Sequence, residues 1–384
     1  MNFPKTCFAL ALAATALPAR ANDTVFAGGF DPVWVLGYHV GYQRTMYPTA
    51  NVDFAALSHV IIGPVTPNTD GSLNVSFDIT DVEGPIWATD VAAAAHSANR
   101  KALLMIGGAG SINGWRAAAS EANRSAFVTS LVELVDNIGA DGLDLDWEPL
   151  EPGDYANFTA LAQALRGANS SMLLTVPVGW VNSNFQTPAT ADPFFGTIAP
   201  LFDRIDIMSY DMEWPADGWK SWFTAALHGE SATTPSSIDT SVDFYLASGV
   251  PRSKLGIGIG FYGQCWKNVT GPRQTIGGNA SRNNDDNTFT YHNIVTQYYS
   301  AANYHYDATS EMPYLGSSSA FGPSKCNFLS YENAQSVTAK GDYVNRNGLA
   351  GTIIWTIGEG YVPEQVGQEN ALLDAVNAAF KPTN

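Results

Sequence analysis

Short runs of apolar residues recur along the chain, and each is followed by a more polar segment. The runs are four to eight residues long and rich in valine, isoleucine and aromatic side chains. Runs of that length and composition are typical of strands that are buried on both faces. We therefore predict strands at residues 35–38, 60–63, 102–108, 142–148, 173–178, 205–211, 255–262 and 351–357.

Helical patterns follow several of these strands. Apolar residues recur at helical spacing from 127 to 138, where Gly139 provides a stop, and again from 158 to 165, before Gly167. Eight successive strand-then-helix units describe an α/β fold, the closed parallel (β/α)8 TIM barrel. In such a barrel the catalytic groups lie at the carboxyl ends of the strands.

The interval between the seventh and eighth predicted strands is longer than one loop and one helix require. It contains a polar loop at 277–287, a helical stretch at 291–299 and an aromatic run at 304–306. This content predicts a small domain inserted between strands 7 and 8, over approximately 264–330.

The amino terminus has the features of a secretory signal. A basic start is followed by an apolar run at 7–17 and by the small-residue exit Ala19-Arg20-Ala21. We predict cleavage after Ala21, so that residues 1–21 are a signal peptide and 22–384 are the secreted, extracellular catalytic chain. Cys265 and Cys326 would then remain, as one disulfide that ties the ends of the insertion together or as two buried thiols.

The chain is strongly acidic, with 36 Asp and Glu against 19 Lys and Arg and a formal net charge of −17. Such a surface repels phosphates, which disfavours a nucleic acid or an anionic membrane as a partner, and self-repulsion favours a monomer. Neither the cysteines nor His228, His292 and His305 have metal-ligand spacing, so we expect no metal site and no cofactor.

The most informative run reads DGLDLDWE, from 141 to 148. Because side chains alternate along a strand, Asp144, Asp146 and Glu148 share one face, and in a barrel that face is the interior. We refer to these three side chains as the carboxyl row. Three carboxyls in a low-dielectric interior cannot all ionise cheaply, so at least one pKa should rise. Glu148, nearest the mouth, is the best placed to donate a proton to a leaving alcohol or sugar oxygen.

The same run resembles the DxxDxDxE signature of the family-18 glycoside hydrolases, the chitinase family, and fills every position of it. The similarity extends to four motifs at other predicted strand ends, which are Gly107-Gly108, Met208-Ser209-Tyr210-Asp211, Phe261-Tyr262-Gly263 and Trp355. It thus covers nearly all of residues 34–360. The insertion is similar to the small α+β domain of groove-forming chitinases.

The resemblance implies substrate-assisted retaining hydrolysis, in which the substrate's own N-acetyl oxygen attacks the anomeric carbon. Glu148 would protonate the leaving oxygen and later activate water. Asp146 would turn toward Glu148 and the acetamide N–H, and Asp144 would hold the shared proton deeper in the barrel. Tyr210 would hydrogen-bond the acetamide oxygen, with Asp211 beside it at the sugar.

For substrate binding, the resemblance implies that Trp355 is the platform under the distorted sugar. Tyr38 and Met208 are further candidates. Six other tryptophans could line a groove or belong to the core, namely Trp115, Trp180, Trp214, Trp219, Trp222 and Trp266.

One position departs from the family pattern. The family usually carries a serine two residues before the paired glycines, and this chain has Met105 there. Because a thioether is at best a weak acceptor, Asp144 loses a donor and its charged form should be less favoured. We therefore predict a displaced acid limb in the pH–rate profile.

The predicted activity is that of a secreted endo-acting chitinase, which hydrolyses β-1,4 bonds between N-acetylglucosamine units of chitin or chito-oligosaccharides. Two alternatives remain open. One is an endo-β-N-acetylglucosaminidase that acts on N-glycans, and the other is a non-hydrolytic chitin-binding lectin.

Overall fold

The computed structural model describes residues 33–278 and 280–380, so the predicted signal segment 1–21 lies outside the described residues. The strands of the described chain are β1 (Trp34–Val40), β2 (His59–Pro67), β3 (Leu73–Asn74), β4 (Lys101–Gly107), β5 (Gly142–Asp146), β6 (Leu173–Gly179), β7 (Arg204–Met208), β8 (Leu255–Gly260), β9 (Gln264–Lys267), β10 (Ser281–Asn283), β11 (Tyr304–Asp307), β12 (Met312–Phe321), β13 (Cys326–Ser330) and β14 (Gly351–Trp355). The α-helices are α1 (Glu83–Ser97), α2 (Ile112–Ala118), α3 (Arg124–Ile138), α4 (Tyr155–Ala168), α5 (Pro193–Ile198), α6 (Ile238–Ala247), α7 (Tyr291–Asn293), α8 (Ala334–Asn347) and α9 (Ala371–Phe380).

Eight parallel strands close into a barrel in the order β1-β14-β8-β7-β6-β5-β4-β2, and β1 pairs with β2 to complete it. Each of the eight predicted runs contributes one of these strands, so the predicted (β/α)8 fold is confirmed. Outward-facing strand residues pack against the helices in the main core, which includes Leu143, Leu145 and Trp147. Inward-facing residues form a separate interior cluster around Leu36, Tyr38 and Met105. The alternation read from the sequence therefore separates the two sides of the barrel wall.

The insertion between β8 and β14 contains a five-stranded antiparallel sheet in the order β10-β9-β13-β12-β11. A disulfide joins Cys265 on β9 to Cys326 on β13, and both cysteines are fully buried. The predicted disulfide is thus confirmed, and the alternative of two free thiols is wrong. The bridge closes a long loop, which in the chain-entropy model stabilises the folded state by restricting the unfolded one.

A buried ion pair holds α8 to the end of the insertion sheet. Lys340 on α8 pairs with Glu332, and both side chains are almost completely excluded from solvent. The Ser336 hydroxyl donates to the second carboxylate oxygen of Glu332, at 2.5 Å. Glu332 therefore uses both oxygens inside the protein. Among the described residues, no helix has the length and hydrophobicity to cross a membrane.

Candidate active site

The carboxyl row rises along β5 into the mouth of the barrel. Asp144 and Asp146 are 1% and 2% exposed, whereas Glu148, two residues beyond the end of β5, is half-buried. Parallel pairing places Asp144 level with Met105 on β4 and with Thr175 on β6. The predicted inward face of this strand is therefore observed, with Glu148 nearest the solvent.

Asp144 is held by two hydroxyl groups from different strands. The Tyr38 hydroxyl donates to its Oδ2 at 2.7 Å, and the Thr175 hydroxyl donates to its Oδ1 at 2.5 Å. Burial raises the pKa of Asp144 to about 6, although both hydrogen bonds lower it by favouring the charged form. Thr175 thus occupies the donor role that Met105 cannot fill. The sequence contained one signal for this, a lone hydroxyl residue in the apolar run 173–178.

We expect two substitutions beside Asp144 to move the acid limb of kcat in opposite directions, if ionised Asp144 is required for turnover. Thr175→Val removes a hydrogen bond that lowers the pKa of Asp144, so the limb should shift to higher pH. Met105→Ser adds a donor next to Asp144, so the limb should shift to lower pH. The measurement is kcat against pH on a soluble chito-oligosaccharide. Profiles that superimpose on the wild type for both variants would contradict the expectation.

Asp146 and Glu148 share a hydrogen bond between their carboxyl groups. Burial raises the pKa of Asp146 well above its usual value, and the charges of Glu148 and Asp144 raise it further. Burial also raises the pKa of Glu148, the hydrogen bond with Asp146 lowers it, and the charge of Asp211 raises it. Because ionisation of one of two adjacent buried carboxyls opposes ionisation of the other, the two groups titrate as a pair, and Glu148 is its member nearer the mouth.

Tyr210 and Asp211 follow the end of β7 at the same rim. Tyr210 is 8% exposed, and Asp211 is half-buried with a left-handed backbone, φ +56°. The Tyr262 hydroxyl donates to Asp211 Oδ1 at 2.7 Å, and the Gln264 amide donates to the same oxygen. Burial raises the pKa of Asp211, whereas these donors lower it. The strained backbone turns the chain where the predicted sugar contact lies.

The interior side of β8 is lined by glycines, which leave space for side chains of the site. A Cβ atom on Gly258 would lie 2.8 Å from the Tyr210 ring, and one on Gly260 would lie 2.6 Å from the Tyr262 ring. A Cβ on Gly256 would lie 1.9 Å from Oδ1 of the buried Asp206. The glycines of the apolar run 255–262 therefore contribute to the site by leaving room for neighbouring side chains.

Trp355 is the last residue of β14, which lies across the barrel from β5 and its carboxyl row. Its half-buried ring lies 5.2 Å from the Tyr38 ring, and Met208 packs into the same interior cluster. The Trp355 indole N–H donates to Asp286 Oδ2 at 3.1 Å. Tyr38 is 1% exposed and lies deeper in the barrel than Trp355, where its hydroxyl donates to Asp144. The structure thus brings the three predicted substrate-binding residues together, with Tyr38 the deepest.

The groove interpretation is wrong for three of the six tryptophans. Trp115, Trp222 and Trp266 are completely buried. Trp115 lies within α2, which follows β4, and stacks on Trp147 at 5.0 Å outside the barrel wall. The other three keep some exposure, and they are Trp180, Trp214 and Trp219.

Several residues of the site carried no role in the sequence prediction. Gln264, Arg282 and Asp286 come from the insertion and contact Asp211, Glu213 and Trp355 of the barrel, respectively. Arg282 and Asp286 lie in or beside the polar loop 277–287, which has no regular hydrophobic pattern. No periodicity could have assigned them, because their position depends on how the insertion sheet packs on the barrel.

Comparisons with known proteins agree with this geometry. A family model described as glycosyl hydrolases family 18 matches residues 35–360. Endochitinase 1 from Metarhizium robertsii is 25% identical over 394 residues, which cover 88% of this chain and 84% of that protein. Chitinase A1 from Niallia circulans is 28% identical over 295 residues, which cover 67% of this chain and 40% of that protein.

Among solved structures, the group IV chitinase of Ostrinia furnacalis has a TM-score of 0.74 at 22% identity, over 91% of this chain and 100% of that one. The same insect protein is also known in complex with allosamidin. The likeness in structure supports the fold, and the family model spans the carboxyl row and all of the barrel strands. The chain therefore belongs to family 18 of the glycosyl hydrolases, the chitinase family, as the acidic strand predicted.

Proposed function

We propose that the protein is a secreted, monomeric, endo-acting chitinase that cleaves β-1,4 bonds between N-acetylglucosamine units with retention of configuration. The observation that carries this proposal is the placement of Glu148 at the barrel mouth beside the buried Asp146, where burial raises the pKa of both carboxyl groups. A raised pKa favours the protonated acid that the departure of a sugar oxygen requires.

The proposed reaction has two steps. Glu148 gives its proton to the glycosidic oxygen as the bond from that oxygen to the anomeric carbon breaks, and the acetamide oxygen of the substrate forms the new bond. The Glu148 carboxylate then takes a proton from water, which attacks the same carbon and restores the acetamide. Asp146 accepts a hydrogen bond from the acetamide N–H, and the Tyr210 hydroxyl donates one to the acetamide oxygen.

The position of the other carboxyls supports the acetamide as nucleophile. Asp144 and Asp146 are nearly inaccessible below Glu148, and Asp211 is occupied by Tyr262 and Gln264. A protein nucleophile would need a free carboxylate at the opposite side of the bond. The substrate supplies its own oxygen in this proposal.

Other features support the finer parts of the proposal. The insertion stands beside the mouth, where it would wall a groove around a linear polymer, and one relative is itself an endochitinase. The buried disulfide suits an oxidising compartment, in line with the predicted signal peptide. The net charge of −17 favours a monomer.

The proposal is tested by release of reducing ends from colloidal chitin, with the products of a chito-hexaose digest resolved by chain length. We expect soluble oligosaccharides of mixed length, and a β-anomer as the first product by proton NMR. Release of glycan from a denatured high-mannose glycoprotein with chitin untouched would instead indicate an endo-β-N-acetylglucosaminidase. Binding to chitin without any new reducing ends would indicate a lectin.

A further inference from the structure

The insertion reaches the barrel mouth through a continuous chain of hydrogen bonds. The Arg282 guanidinium donates from β10 to the Gln264 side-chain oxygen at 3.0 Å, and the Gln264 amide donates to Asp211 Oδ1. Gln264 is completely buried, so its side chain has no competing water contact. The guanidinium, the amide and the carboxylate therefore form one relay, which we call the Arg282 relay.

The guanidinium is fixed at its other side by a second acid. Arg282 Nη1 lies 3.5 Å from Glu213 Oε2, and the Glu213 side chain has no exposed surface. The Arg282 side chain is itself only 16% exposed. Removing a cation from water is unfavourable unless it is paired and hydrogen-bonded, and here both requirements are met within the protein. This placement lets the positive charge of Arg282 act on the Asp211 carboxylate.

Several groups act on the Asp211 carboxylate, and the buried carboxyls of Glu213 and Glu359 also lie within its electrostatic range. The hydrogen bonds from Tyr262 and Gln264 and the positive charge of Arg282 favour its ionised form. Burial and the negative charge of Asp286 oppose ionisation. Arg282 is the cation in this balance, and it belongs to the insertion and not to the barrel.

The charge of Asp211 matters because of its neighbours across the mouth. It raises the pKa of Glu148 and that of Tyr210. An ionised Asp211 therefore helps Glu148 to keep its proton until a substrate arrives. The loss of the Arg282 charge can therefore alter the pKa of Glu148, because it changes the ionisation of Asp211.

We propose that Arg282 is a positioning residue for catalysis: through Gln264 it holds the Asp211 carboxylate ionised and oriented beside Glu148. The insertion then contributes electrostatically to the reaction, in addition to walling a groove. The kinetic part of this inference rests on the proposed glycosidase function, whereas the effect on Asp211 does not.

The test is Arg282→Gln, which keeps hydrogen-bonding capacity and removes the charge. Without the cation Asp211 holds its proton to higher pH, so the acid limb of kcat/KM should move up by about one pH unit. On the acid side, kcat/KM should fall about tenfold, mainly through KM. Arg282→Lys retains the charge and should keep the limb at its wild-type position.

The matched control is Arg273→Gln. Arg273 lies in the same insertion, pairs with Asp307 and stacks over Trp222, away from the carboxyl row. Arg273→Gln makes the same chemical change and should leave the acid limb of kcat/KM at its wild-type position. An unshifted limb in Arg282→Gln, with a melting temperature lowered as in the control, would show a structural role only and overturn the proposal.

A readout without turnover separates this proposal from the proposed function. Carboxyl-carbon NMR of aspartate-labelled protein, with the Asp211 signal assigned through Asp211→Asn, follows the titration of Asp211 directly. We expect its pKa to rise in Arg282→Gln and to stay unchanged in Arg273→Gln. An unchanged Asp211 pKa would overturn the relay even in an active enzyme. A wild type inactive on every glycan would overturn the proposed function, while the NMR result would still decide the relay.

Discussion

Glu148→Gln should lower kcat on chito-oligosaccharides by about 10²- to 10⁴-fold, the usual contribution of a general acid–base group. Glutamine matches the shape of the acid but has no proton to give to the glycosidic oxygen. The Asp146 carboxyl can still donate a hydrogen bond to the amide oxygen, so the fold should survive. The measurement is reducing-end release under saturating substrate, with circular dichroism as a check of folding.

Glu151→Gln provides the matched control for this prediction. Glu151 is three residues further along the same loop, is largely exposed and pairs with Arg116 at 2.6 Å. The same chemical change there should leave kcat within about twofold, since a screened surface pair contributes little. Glu148→Gln activity within tenfold of the wild type would refute the assignment of Glu148 as the proton donor.

Glu332→Gln should destabilise the protein by about 3–5 kcal/mol, because it leaves the Lys340 ammonium buried without its counter-charge. Lys340 has no exposed surface, and apart from Glu332 its ammonium donates to the Met312 sulfur at 3.3 Å, which is a weak acceptor. The free energy of unfolding from denaturant titration at pH 7 measures the effect.

Two further variants make that result interpretable. The double variant Glu332→Leu/Lys340→Met replaces both charges by apolar groups, and we expect it to recover most of the lost stability. Glu151→Gln, which breaks an exposed pair, should change stability by less than about 1 kcal/mol. A Glu332→Gln protein as stable as the wild type would show that Lys340 loses its proton or reaches solvent without difficulty.

The position of the carboxyl row could be predicted because it depends on a local rule. Alternation along one strand places Asp144, Asp146 and Glu148 on the same face, and the apolar neighbours identify the opposite face as the one against the helices. The shared face brings Asp146 and Glu148 close together, and the raised pKa of both comes first from burial inside the barrel.

The tryptophans show where the same reasoning fails. Trp115 and Trp214 both follow predicted strands, yet Trp115 is buried outside the barrel and Trp214 is 44% exposed. The segment after a strand can be a short helix, as α2 is around Trp115, or an irregular loop, as around Trp214, and its side chains are oriented by the elements against which it packs. Residue type and position alone could not separate a core tryptophan from one at a groove.

The sequence by itself determined the barrel, the inward face of the acidic strand and the family, because these depend on periodicities and motifs within single segments. The tertiary structure decided which distant residues complete the site. Tyr38 and Asp144 are 106 residues apart, and Trp355 and Asp286 are 69 apart. Such contacts depend on strand register, on closure of the barrel and on the docking of the insertion, which are set by the packing of the whole chain.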